Sequence, residues 1–355
     1  MKTRYNNLRS EAWRMPNGKQ KLAIKEEMIR IADAYLTEQD AYDSRMEYTD
    51  AAIECGCPER LFISFAWCLA KFEKNPSDYS STTIMWHYKW VLNHVWRIPQ
   101  FSLEQIELLF ADFKEKCLQY GFSLRAYYQQ RVNFYLSQGD LKEASLQYKQ
   151  WREAPRDRIS DCQACEQNLF GVYHFRINHY KRGMHVLKPI LEGKLSCRTI
   201  PQNTYSQIIH PLLKLGEFDQ AILTANKAYR AIEGPSYLKE YGIFIEFFTV
   251  VNMGKAVQLY ERTIRLGLDC KVAWDRMQYL VSVRLFLQQW SQTKRRKKLV
   301  ESATVTLDWL DAEIHRLEQA FQARNRNEYV KQFITEKELQ FRKLIAKYNK
   351  ARTDK

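Results

Sequence analysis

Two of the chain's eight cysteines, Cys162 and Cys165, form a C-x2-C pair in APRDRISDCQACEQN, and a third, Cys197, follows in LEGKLSCRTIP. Thiolates at that spacing can share one zinc ion. Ser160 or Asp161 reads as a helix N-cap, which sets both thiols of the pair in a first turn, three apart on one face. A helix N-terminus also lowers a thiol's pKa, so a reactive or redox thiol is a second reading. Small buried residues between helices are the third. A fourth protein ligand is hard to find. His210 falls about seven residues into the following helix, roughly 10 Å along its axis, and His174 lies further along its own. A second C-x2-C is absent. The expectation is no cofactor, with a structural zinc at Cys162, Cys165 and Cys197 as the alternative.

Other candidate chemistry is weaker. Cys55 and Cys57 in ECGCPE read as a turn. Lys294, Arg295, Arg296, Lys297 and Lys298 form a basic run suited to phosphate contacts or to a solvated corner, and no nucleic-acid-binding signature accompanies it. Trp86, Tyr88, Trp90 and Trp96 recur at helical spacing, which is core packing before it is a stacking platform. His87 and His94, seven apart, lack metal-spaced neighbours. The sequence has no phosphate-cradling glycine loop, no H-E-x-x-H and no G-x-S-x-G, so no enzyme is expected.

The elements that must position these residues are helices. Glycine (12) and proline (9) are scarce among 355 residues and aromatics plentiful, which suits packed helices better than strands. Four segments repeat a pattern: YLSQGDLKEASLQYKQW, INHYKRGMHVLKPI, LLKLGEFDQAILTANKAY and TVVNMGKAVQLYERTI. The small residue opening each second helix falls at Ala144, Gly183, Ala221 and Ala256, in steps of 39, 38 and 35 residues. With turn glycines Gly139 and Gly216 five residues ahead of Ala144 and Ala221, the pattern resembles the tetratricopeptide family, clearest over 125–270. The second and fourth copies depart, with Asn178 and Val251 at the turn. The resemblance implies an all-α fold: an α-solenoid of antiparallel helix pairs wound as a right-handed superhelix. In such a stack successive first helices start along one edge, so Cys162, Cys165 and Cys197 would converge. It also implies a concave groove lined by first-helix residues Gln129, Asn133, Asn168, Val172, Phe175, Ser206, His210, Tyr241, Ile245 and Phe248. Amides there would bond a peptide backbone and apolar pockets would select its side chains. Gln129 stands where the family has a carboxylate-clamping lysine.

Residues 1–121 read as divergent helical hairpins, 122–290 as the repeats, and 291–355 as a basic tail of long helices. Leu307, Leu310, Ile314, Leu317 and Phe321 form an a/d seam of about two heptads, which packs on the solenoid or pairs with a partner. No run of 18 apolar residues and no secretory leader is visible, so reduced thiols in a cytoplasmic setting are expected. The net charge of +14 favours acidic partners or only solubility. The expected function is a non-catalytic protein- or peptide-binding scaffold or receptor, with a nucleic-acid-associated protein as the alternative. The sequence fixes no oligomeric state.

Overall fold

The computed structural model describes residues 1–293 and 298–353, with the side chains of 351 and 352 left aside. Among the described residues the chain is all-helical, with seventeen α-helices and no strand. The first six are α1 (Lys2–Arg14), α2 (Lys19–Tyr35), α3 (Glu38–Glu54), α4 (Leu61–Lys74), α5 (Ser81–Val95) and α6 (Leu103–Gln119). Next come α7 (Arg125–Gln138), α8 (Leu141–Glu153), α9 (Gln163–Arg176), α10 (Tyr180–Leu191), α11 (Gln202–Leu215), α12 (Phe218–Ala231), α13 (Leu238–Val251) and α14 (Met253–Asp269). The chain ends in α15 (Ala273–Ser291), α16 (Leu307–Asn325) and α17 (Tyr329–Thr353). Sequence neighbours pack closely: α7 on α8, α9 on α10, α11 on α12 and α13 on α14.

Local chemistry sets these boundaries. Ser102 and Gln105 form a capping box at the start of α6. Ser80 caps α5, its hydroxyl accepting from the Thr83 N–H. Gly139 and Gly216 end α7 and α11 with φ of 76° and 86°, in the left-handed region that glycine enters without steric cost. Asn178 takes the same role between α9 and α10 at φ 61°. The helix α1 is polar in composition, yet Tyr5 and Ala12 are buried and the Tyr5 hydroxyl meets Ser44 Oγ of α3 at 2.8 Å.

Where two helices of a pair approach most closely, the small residues matter. A Cβ on Gly183 would lie 2.3 Å from the Phe175 ring and 3.0 Å from the Gly171 carbonyl oxygen. Ala144, Ala221 and Ala256 are all fully buried. One core cluster takes in residues from Tyr42 to Leu344, so the three segments distinguished in the sequence share a single interior. The early and late helices also meet directly. Trp274 N–H of α15 donates to the Arg97 carbonyl at 3.0 Å, the Trp96 and Trp274 rings pack edge to face at 5.8 Å, and Arg324 of α16 donates to the Trp96 carbonyl at 2.9 Å.

Three histidines lie inside this core. Burial pushes His87 down to about 4, His94 to about 3 (aided by Arg97) and His174 to about 4 (aided by Arg182, His179 and Arg152). Each is neutral in the fold but takes up a proton near 6.5 once unfolded. Their contribution is therefore present above the unfolded value and is lost as pH falls from 6.5 towards 4. From pH 6.5 to 5 this amounts to about 2 kcal/mol for each. Asp50, half-exposed yet raised to about 6 by desolvation and by Glu54 and Glu47, acts in the opposite sense, as do the half-buried Glu59 and the buried Glu240. A lower melting temperature at pH 5 than at pH 7 is expected. His94→Gln, which keeps a donor for the Trp90 carbonyl now bonded by Nδ1 at 2.7 Å, should flatten that slope; an unchanged slope in scanning calorimetry would contradict the assignment.

Candidate functional site

The start of α9 is held from three sides. Asp161 accepts from the buried ammonium of Lys89 at 2.7 Å and from the Gln129 amide at 2.6 Å. Lys89 itself sits over the Trp86 ring, 3.5 Å from its centroid. One turn on, the buried Glu166 receives the Arg125 guanidinium through both oxygens, at 2.8 and 3.0 Å, together with Arg156 and the Trp151 indole N–H. Arg125 also donates to the carbonyls of Trp151 and Ala154. The charged groups of this junction are thereby paired, as buried charges require.

Between these anchors stand the thiols. Cys162, not Ser160 or Asp161, is the N-cap of α9, and its Sγ accepts from the Cys165 backbone N–H at 3.4 Å. The expected position of Cys162 within the first turn is thus off by one turn boundary, because Asp161 is already taken by Lys89 and Gln129. Cys197 comes from the connection between α10 and α11, where its N–H donates to the Ile200 carbonyl at 3.0 Å. It brings its Sγ to 3.6 Å from that of Cys165. The three sulfurs all lie within 4.8 Å of one another. Burial, with the Cys162 and Cys197 thiols beside it, pushes the Cys165 thiol well up. At Cys197 burial also acts upward, but hydrogen bonds from Thr199 and Ile200 outweigh it and the thiol falls below its ordinary value.

Next to Cys197, Arg198 reaches Glu54 of α3 at the edge of a cavity of about 690 Å³, which is also lined by Trp13, Trp90, Lys25 and Asp50. Cations and carboxylates are mixed around it, and no side-chain pair there has the geometry of a nucleophile with its base.

The residues expected to line a groove are mostly inside the chain. Gln129, Asn168, Ser206, Tyr241, Ile245 and Phe248 are buried. Gln129 grips Asp161, Asn168 accepts from Thr204 Oγ1 at 2.7 Å, Ser206 donates to the Asn203 carbonyl, and the Tyr241 hydroxyl donates to the Gly234 carbonyl. These four hydrogen bonds all lie within the chain. Asn133, Val172, Phe175 and His210 are partly buried. Phe175 fills the space over Gly183, and His210 faces Lys337 and Gln340 of α17. Of the basic run, Lys294, Arg295, Arg296 and Lys297 fall outside the described residues, and Lys298 is exposed. Four of the five seam positions, Leu310, Ile314, Leu317 and Phe321, are buried in the chain's own core.

The helix α17 lies on α13 and α15. Its Lys337 ammonium pairs with Glu246 at 2.5 Å and donates to Ser282 Oγ at 3.1 Å, and Glu338 accepts from Arg284. At its start, Tyr329 accepts a 2.7 Å bond from Arg176, and its ring lies flat against Gly139. A Cβ on Gly139 would sit 2.3 Å from that ring, and the position has φ 76°. Gly139→Ala should therefore cost about 1–2 kcal/mol in backbone alone and also displace Tyr329. Faster amide exchange over 327–333 than in the parent chain is the expected readout; unchanged exchange there would contradict the contact.

Sequence reasoning named the three cysteines but missed their anchors, Lys89, Arg125, Asp161 and Glu166. Charged residues on helices read as solvated faces, and nothing in the spacing distinguishes the few that turn inward. No protein-family model matches the chain, and no curated protein matches it. No described helix is long and apolar enough to cross a membrane.

Proposed function

We propose that the chain is a non-catalytic interaction scaffold of the tetratricopeptide type. In this reading the pairs α7–α8, α9–α10, α11–α12 and α13–α14 are stacked hairpins of a superhelix, and their first helices form an inner face that receives an amphipathic helix. The observation that supports it is α17 itself. That helix buries Val330, Ile334, Phe341 and Leu344, spaced 4, 7 and 3, against the body of the chain. It also aligns a cation with Glu246 and a carboxylate with Arg284. Apolar anchors at helical spacing plus flanking charge pairs are how a groove reads a helix. The chain's own tail is thus the resident occupant, and a partner helix of similar pattern would compete for the same face.

A protease site placed in the turn 326–328 of the full chain, cut after folding, tests this. A labelled peptide carrying the sequence of 326–353 should then exchange into the cut protein saturably, and Lys337→Glu in the peptide should weaken it. Failure of the peptide to exchange, or collapse of helical content on release of α17, would show that α17 is core and that the reading is wrong.

A further inference from the structure

We propose that Cys162, Cys165 and Cys197 bind one zinc ion through three thiolates, with water in the fourth coordination position. The inference is independent of the scaffold reading. Zinc bonds thiolate at about 2.3 Å, so two sulfurs of a tetrahedral site stand about 3.8 Å apart. The observed Cys165–Cys197 separation is 3.6 Å, with all three sulfurs inside 4.8 Å, so a single ion can reach each with side-chain adjustment alone. The sulfurs are also provided with donors. Cys165 N–H points at the Cys162 sulfur at 3.4 Å, and the Thr199 hydroxyl lies 3.7 Å from that of Cys197. Such contacts orient metal-bound thiolates and temper their charge. Each thiol releases its proton to solvent on binding, and the resulting site carries one net negative charge, at the positive end of α9.

The surrounding structure gives the ion something to do. Cys162 and Cys165 are on a segment already fixed through Asp161 and Glu166. Cys197 is on the connection 192–201, in which Glu192, Gly193, Lys194, Ser196 and Arg198 are all exposed. An ion joining the two would fasten that connection to α9 and fix the edge of the cavity that Arg198 borders. A disulfide is the competing use of two of these sulfurs. It would need Cys165 and Cys197 to close to about 2.05 Å and would leave Cys162 unused.

The full-length chain, purified with reductant and without chelator, should carry about one zinc per chain by elemental analysis. Cys162→Ser and Cys197→Ser should each bring this below about 0.2, while Cys270→Ser, remote from the cluster, retains it. Cys162 is exposed, so its variant should keep full helical content by circular dichroism and report on metal alone. Cobalt added to the apo chain should give the intense charge-transfer absorption of thiolate ligation, reduced in both variants. The proposal is overturned by a parent chain holding less than about 0.2 zinc, by equal zinc in the parent and the Cys162 variant, or by recovery of an intact Cys165–Cys197 disulfide from the native protein.

Discussion

Arg125→Ala should destabilise the chain by about 3–5 kcal/mol, because it strands the Glu166 carboxylate in the interior. Glu166 is 2% exposed, and Arg125 meets both of its oxygens, at 2.8 and 3.0 Å. Arg156 and Trp151 remain, but Arg156 is more exposed and also serves the Asp161 carbonyl. The same substitution frees the carbonyls of Trp151 and Ala154, so the end of α8 loses its fastening to α7. Two further measurements separate charge from packing. Glu166→Gln in the parent should cost less than Arg125→Ala, since no net charge is left on the acceptor. Arg125→Ala combined with Glu166→Gln should recover part of the loss, giving a non-additive cycle. Additive chemical-denaturation midpoints would mean that the two residues act separately.

Phe341→Ala should loosen α17 selectively. Phe341 is 3% exposed, and truncating a buried phenylalanine costs about 3–5 kcal/mol. On a terminal helix whose buried apolar anchors are Val330, Ile334, Phe341 and Leu344, that loss is a large share of the docking energy. The expected result is rapid amide exchange across 329–350 with α5 and α7 still protected. A uniform drop in protection throughout the chain would instead place Phe341 in the cooperative core. Glu246→Gln offers a milder version, weakening Lys337 without creating a cavity.

Much of the fold could be read from residue spacing. Gly139 and Gly216 as turn residues, Ala144, Ala221 and Ala256 as close-contact positions, and the Ser102–Gln105 cap are all local signals, and each marks a helix boundary or contact in the structure. The convergence of Cys162, Cys165 and Cys197 was legible for a similar reason: it depends on where helices begin. Three things were not legible. The buried face of α1 was hidden because its two buried residues, Tyr5 and Ala12, are too few to produce an apolar stripe. Arg326 turns the chain between α16 and α17 at φ 55° without a glycine to announce it. The docking of α17 on α13 and α15 was hidden for a deeper reason. Glu246 of α13 reads the same in the sequence whether it stays in solvent or receives Lys337 of the chain's own last helix. Only the path of residues 326–353 distinguishes the two, and that path is set by contacts with residues such as Gly139 and Arg176, far away in sequence.

Native-state hydrogen exchange on the intact chain addresses the central claim most directly, because a displaceable occupant must open at a lower free energy than the face it covers. Amides of α17 should exchange through a sub-global opening, under mild denaturant, while α13 and α15 remain protected to the global unfolding transition. If α17, α13 and α15 instead exchange together, with one denaturant dependence, α17 is an inseparable part of the core and the inner face is not a binding surface.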